Sequence, residues 1–142
     1  MSNRIMAIDY GDAHTGIAIS DLTGFMAGYT TVIHTRETDR LTGEILSLTR
    51  EYEISALILG CPLNMDGSKG PRAEKAEEFA ERLKIITGLP VTLWDERRTT
   101  IDAHNILAAN GKNAKKRKKT VDAVAAALIL ENYLNYLNNK LK

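Results

Sequence analysis

The chain contains 142 residues, of which 44% are hydrophobic and 26% charged, a size and composition typical of one soluble globular domain over residues 1–142. No apolar run approaches the roughly 20 residues that span a bilayer, and no export signal opens the chain, so we expect a cytoplasmic protein that does not contact a membrane. The single cysteine, Cys61, excludes an internal disulfide and a thiolate zinc cluster, and we expect it to be a small apolar residue at a strand end.

Positive charge is concentrated in one segment, although the net charge is only +1. Residues 112–119, KNAKKRKK, carry six basic side chains and no acidic one. Such a run either binds nucleic acid or is simply a solvated loop. We expect a mobile loop, whose candidate substrate contacts are Lys115, Lys116, Arg117 and Lys119.

The first third of the chain predicts strands near 4–10, 15–21 and 26–34, because short apolar and alternating runs are separated there by turn residues. Together they form an antiparallel meander. The period then changes: Leu41, Ile45 and Leu48 recur at helical spacing, which predicts a helix that ends near residue 52.

The rest of the chain alternates strands with helices. ISALILG and PVTLW read as buried strands, and Pro71 and Gly88 suit the start and the end of a helix between them. Two further helices are predicted, over about 99–110 and 121–138. The order βββαβαβαα predicts an α/β fold with a mixed five-stranded sheet and helices on both faces.

Acidic residues stand at the ends of three predicted elements. Asp9 ends the first strand, Asp95 and Glu96 follow PVTLW, and Asp122 falls in the first turn of the last helix. Parallel strand ends and adjacent helix starts meet at one edge of an α/β sheet, and clustered carboxylates there favour Mg²⁺ or Mn²⁺. Each acid also has a simpler explanation when it is considered alone. Asp9 fits an ordinary turn, Asp122 fits a residue that interacts with the helix dipole, and Asp95 fits a strand-end cap.

Four blocks carry a family resemblance: RIMAIDYGDAHTGIAISD, LILGCPLNMDGSKGPRA, LWDERRTT and KKTVDAVAAALILENYL. In order and spacing, over nearly the whole chain, they resemble the YqgF family of ribonuclease-H-like proteins, described as Holliday-junction resolvases and as pre-16S rRNA nucleases. The resemblance implies a ribonuclease-H-like fold, a metal-binding triad of Asp9, Glu96 and Asp122, and magnesium-dependent phosphodiester hydrolysis in 5′-end maturation of 16S rRNA. The chain departs from the pattern at His14, where Arg is common, and at Arg98, where an apolar residue is frequent.

A two-metal mechanism follows from these acids, in which two cations about 4 Å apart activate a water and stabilise the leaving oxygen. We expect Asp9 to bridge both ions while Glu96 and Asp122 each hold one side. The loop CPLNMDGSKG permits close approach of a phosphate chain. Further substrate contacts are expected from Lys69, Arg72 and Arg97, and Lys119 either neutralises the scissile phosphate or faces solvent.

The sequence is also compatible with other functions. The same acids would serve branched DNA as well as pre-rRNA, and a non-catalytic RNA-binding assembly factor would keep the same fold. IDYGDAHTG also resembles the first phosphate loop of actin-like ATPases and sugar kinases, but those proteins need two such domains to enclose a nucleotide. The chain is expected to be a monomer or a homodimer.

Overall fold

The computed structural model describes residues 4–22, 27–64, 66–95 and 114–140. Within them, the elements in chain order are β1 (Arg4–Asp9), β2 (His14–Ser20), β3 (Ala27–His34), α1 (Thr38–Glu51), β4 (Ile54–Cys61), α2 (Pro71–Thr87), β5 (Val91–Asp95) and α3 (Ala114–Lys140). The predicted helix over 99–110 lies outside the described residues, as do Glu96, Arg97 and Arg98.

The described strands form one mixed sheet in the order β3-β2-β1-β4-β5. The first three pair antiparallel as a meander, whereas β1 pairs parallel with β4, and β4 with β5. Parallel pairing requires a crossover connection, and α2 supplies the one between β4 and β5. The predicted mixed five-stranded sheet is therefore confirmed.

Helices cover both faces of the sheet, and the alternation of side chains along β1 assigns each face. Met6 and Ile8 pack in the cluster that includes residues of α1 and α2. Ala7, between them, packs in the opposite cluster with Ala126 and Ile129 of α3. β1 is consequently buried on both sides, which explains its continuous apolar sequence.

Local signals set the limits of α2 as the sequence predicts. Pro71 is its first residue, where a missing N–H costs nothing. Gly88 follows its last residue with φ at 70°, and the Gly88 N–H donates to the carbonyl of Lys84. This left-handed position favours glycine because a side chain would clash with the backbone.

Cys61 ends β4 and is buried, also as predicted.

The last helix begins at Ala114, seven residues before the predicted start at Val121. The expectation that residues 112–119 form a loop is therefore wrong from Ala114 onward. Lysine and arginine are good helix formers, and no Gly or Pro interrupts the segment 114–140. Among the described residues, no helix is both long enough and apolar enough to cross a membrane.

We expect Leu83→Ala to lower the free energy of unfolding by about 2–5 kcal/mol, because Leu83 is fully buried in the α2 face of the core and its truncation leaves a cavity. Ile85→Ala is the matched control on the same helix, since Ile85 is 82% exposed, and it should change stability by about 0.5 kcal/mol or less. Urea denaturation of both variants measures the difference. Equal losses would contradict the described packing of α2.

Candidate functional site

Asp9 is the last residue of β1, at the edge of the sheet where the parallel strands end. It lies two residues after Ala7, so alternation assigns its side chain to the face covered by α3. The carboxylate is half-buried, and none of the described residues forms a hydrogen bond or an ion pair with it. A half-buried carboxylate with no protein partner is a natural ligand for a cation.

The turn after Asp9 is held tightly to the start of β2. The Gly11 N–H donates to the hydroxyl of Thr15 at 3.4 Å, and Thr15 is fully buried. A Cβ atom placed on Gly11 would lie 2.2 Å from the carbonyl oxygen of His14. Glycine is thus required at position 11 by close backbone approach, and the turn holds the end of β1 in a defined position.

The loop after β4 is closed by its own hydrogen bonds. The backbone N–H of Asn64 donates to the carbonyl of Ser68, and the N–H of Gly67 donates to the carbonyl of Asn64. Asp66 accepts from both the N–H and the hydroxyl of Ser68. Gly67 has φ at 88°, so its conformational role is the turn itself.

Lys69, at the end of this loop, forms an ion pair with Glu77 of α2 at 3.2 Å. The Lys69 side chain is 60% exposed and remains accessible to a phosphate. Exposed pairs of this kind contribute little stability. The pair therefore orients Lys69 along α2 without removing it as a candidate substrate contact.

A groove lies on the α2-covered face, opposite to the Asp9 side chain and next to Tyr10 and the β1–β2 turn. Its floor is the ring of Tyr10, which stacks on Phe79 with centroids 4.1 Å apart. One part, a cavity of about 100 Å³, lies between the β1–β2 turn and the start of α2, and the adjoining part extends toward α1. The basic residues of the two parts are Arg36, Arg72, Lys75 and Arg82, and the acidic ones are Asp12 and Glu78. Two of these cations are in exposed ion pairs, Lys75 with Asp12 and Arg82 with Asp39. The positive charge of Arg36 and Arg72 still exceeds the negative charge of Glu78, which suits a phosphate backbone.

Asp122 lies in α3, eight residues after Ala114, and not in the first turn of the helix. The attraction of a carboxylate to the helix dipole falls off beyond the first turn, so that explanation of Asp122 no longer applies. In sequence Asp122 precedes Ala126, which is fully buried against the sheet, by four positions.

Some of the other predicted site residues lie outside the described ranges, and others lie in α3. Glu96 and Arg97 lie outside the described residues, immediately after Asp95 at the end of β5. The basic residues Lys115, Lys116, Arg117 and Lys119 lie in the first two turns of α3. The structure therefore describes one complete member of the expected triad, Asp9, and the backbone position of a second, Asp122.

A family model described as RuvX: Holliday junction resolvase matches residues 3–136 of the chain. The chain belongs to the RuvX family. This is the family that the four sequence blocks resemble, so the resemblance to YqgF proteins is confirmed.

Relatives of this RuvX family chain span its full length. A protein from Halothermothrix orenii is 44% identical over 135 residues, which cover 95% of this chain and 96% of the relative. One from Thermoanaerobacter pseudethanolicus is 41% identical over 138 residues, covering 96% and 99%. The names of both contain the words pre-16S rRNA nuclease.

Solved structures of RuvC have the same fold. RuvC of Thermus thermophilus in complex with a Holliday junction substrate matches with a TM-score of 0.60 at 18% identity, covering 94% of this chain and 96% of RuvC. A second RuvC structure from that organism gives a TM-score of 0.58 at 15% identity, covering 95% and 96%. At these identities the match shows the fold, and the expected ribonuclease-H-like architecture is confirmed.

Sequence reasoning missed three basic residues of the groove in this RuvX family chain, Arg36, Lys75 and Arg82. Lys75 follows Arg72 by three positions on α2 and lines the same cavity, so helical spacing from Arg72 was a usable signal. Arg36 follows β3 and reaches the groove only through the tertiary fold. No local pattern around Arg36 indicated this.

We expect Gly11→Ala to lower the free energy of unfolding by about 1–3 kcal/mol, because the added methyl group overlaps the His14 carbonyl in a paired strand. Gly43→Ala, in the exposed middle of α1 with open space around it, is the matched control. It should stabilise the chain by roughly 0.5–1 kcal/mol. Chemical denaturation measures both, and a neutral Gly11→Ala would contradict the close approach in the turn.

Proposed function

We propose that the chain is a divalent-metal-dependent nuclease that hydrolyses phosphodiester bonds of pre-16S rRNA in 5′-end processing, within one domain and in the cytoplasm. The observation that carries the proposal is the Asp9 carboxylate, half-buried at the end of a central strand and without a partner among the described residues. Full-length relatives with pre-16S rRNA nuclease in their names support the substrate.

The metal ligands that we propose are Asp9, Glu96 and Asp122. Asp9 fits the role because hard carboxylate oxygens suit Mg²⁺ and Mn²⁺, and because a bound cation would satisfy a group that the described protein atoms leave unpaired. When bound, one or two such ions supply an activated water and neutralise charge on the phosphate. The chain's own part includes holding Asp9 at the end of β1, a position that the Gly11 turn keeps fixed.

The groove on the α2-covered face, next to the turn that follows Asp9, is the proposed path of the substrate backbone. Arg72 and Lys75 on α2 and Arg36 after β3 contribute positive charge there, and Lys69 stands next to the same helix start. Contacts of this type position a phosphate chain without reading its sequence. Arg97 and the basic start of α3, including Lys119, extend the proposed contacts to the flanks of the substrate.

Branched DNA is the second candidate substrate. Two observations favour it: the family description names Holliday junction resolvase, and the fold is that of RuvC. Carboxylates that hold a metal act on the phosphodiester bond, which RNA and DNA share, so the site itself serves either. Incubation with a pre-16S rRNA fragment and with a four-way DNA junction, each with Mg²⁺, Mn²⁺ or EDTA, separates these substrates.

Asp9→Asn should lower the cleavage rate at saturating substrate by at least about a thousandfold, because a lost metal ligand removes several kcal/mol of transition-state stabilisation. Mg²⁺ should also raise the melting temperature of the wild type and not that of the variant. Single-turnover cleavage and thermal melts measure the two effects.

Glu81→Gln is the matched control, because it likewise replaces a carboxylate by its amide and removes only an exposed ion pair with Lys84. It should cleave as the wild type does. Wild-type cleavage by Asp9→Asn would show that the carboxylate is structural. Tight RNA binding without cleavage under any divalent ion would instead indicate a non-catalytic assembly factor.

The basic start of α3 gives a separate prediction about binding. Each phosphate contact contributes roughly 0.7–0.9 to the slope of log affinity against log salt. Consecutive positions of a helix are rotated by about 100°, so we expect only about two of Lys115, Lys116, Arg117 and Lys118 to meet one backbone. Changing all four to Ala should therefore reduce the slope by about 1–2, as measured by salt titration of RNA binding.

Lys84→Ala serves as the control for this titration, since Lys84 is paired with Glu81 on the exposed side of α2. Its slope should equal that of the wild type. If the fourfold variant also keeps the wild-type slope, the basic segment does not contact substrate, and the groove carries the path alone.

A further inference from the structure

Two histidines form a close cross-strand pair at the β2–β3 end of the sheet. His14 and His34 are direct partners in the antiparallel register. Their Nδ1 atoms lie 2.7 Å apart, and the ring planes meet at 80° with centroids 4.8 Å apart. The Thr35 N–H donates to the carbonyl of Ala13 at 3.1 Å, which extends the ladder beyond the pair. The backbone therefore holds both rings in position.

The separation of the two nitrogens is close to that of a chelate. Metal–imidazole bonds of about 2.0–2.1 Å place two nitrogens at right angles about 2.9 Å apart, and at a tetrahedral angle about 3.3 Å apart. The observed 2.7 Å is nearer to the right-angled arrangement. Opening the pair by a few tenths of an ångström would admit an ion in place of the shared proton, and His34 is exposed to solvent.

We propose that His14 and His34 form a two-imidazole site for a borderline transition-metal ion of the Ni²⁺ or Cu²⁺ type. Right-angled nitrogen ligands suit the square or octahedral geometry of these ions better than the tetrahedral geometry of Zn²⁺. In the part of the chain that the structure describes, no third His, Cys, Asp or Glu completes a cluster. Water fills the remaining coordination positions.

The site is distinct from the carboxylate site, although it lies on the same face of the sheet. Gly16 pairs with Asp9 and lies two residues after His14, so alternation assigns His14 and Asp9 to one face. Imidazole nitrogens select transition metals, whereas carboxylates select Mg²⁺ and Mn²⁺. The proposal does not depend on the nuclease function.

Calorimetric titration of the full chain with Ni²⁺, in excess Mg²⁺ to occupy oxygen sites, tests the proposal. His14→Gln and His34→Gln should each weaken Ni²⁺ binding at least tenfold, since even partners outside the ligand shell contribute about 10–100-fold. His104→Gln, which changes the third histidine of the chain, is the matched control and should bind as the wild type does. Asp9→Asn should also keep the affinity.

A second measurement needs no substitution. With water in the remaining positions Ni²⁺ is octahedral and paramagnetic, so substoichiometric Ni²⁺ should broaden the ring NMR signals of His14 and His34 in the wild type before those of His104. Wild-type Ni²⁺ affinity in either His14→Gln or His34→Gln would overturn the proposal. A tenfold loss in His104→Gln or in Asp9→Asn, or broadening of His104 first, would overturn it as well, because the ion would then lie elsewhere.

Discussion

The burial of β1 on both faces is the constraint on which the rest of the structure depends. This strand pairs with β2 on one side and β4 on the other, α1 and α2 cover one face, and α3 covers the other. A strand enclosed in this way accepts only apolar side chains along its length, so its first polar group after the core falls at its carboxyl end. That group is Asp9, and its position at the sheet edge follows from the burial of the residues before it.

The two faces of the sheet differ chemically at this edge. On the α2 side, the stacked Tyr10 and Phe79 form the floor of a groove whose charged side chains are mostly basic. On the α3 side, Asp9 ends β1, and the helix that carries Asp122 packs alanines closely against the sheet. Ala7, Ala18 and Ala126 are all fully buried in the cluster between α3 and the sheet. The two faces therefore differ in charge at this edge, with the Asp9 carboxylate on the α3 side and a mostly basic groove on the α2 side.

The β1–β2 turn connects the two kinds of metal chemistry that we infer. Gly11 allows the chain to reverse within hydrogen-bonding distance of Thr15, and the reversal brings His14 onto the face of Asp9. The ladder with β3 then sets His14 against His34. The Asp9 carboxylate and the two imidazoles thus lie on one face of the sheet. The ions that we propose for them differ, because carboxylate oxygens and imidazole nitrogens select different metals. The selection arises from ligand type and spacing, both of which the same hairpin determines.

The sequence by itself determined the elements whose signals are local. The apolar spacing of Leu41 and Ile45 predicted α1, Pro71 and Gly88 predicted the limits of α2, and the ordered motifs predicted the family and the fold. The start of α3 was missed because a run of lysines is compatible with both a helix and a solvated loop, and local charge does not decide between them. Only the tertiary structure brought together residues distant in sequence. His14 lies opposite His34 on paired strands, and Arg36 and Lys75 line one groove. Such pairs depend on strand register and helix packing, which are set by the burial of the whole core and not by any short segment.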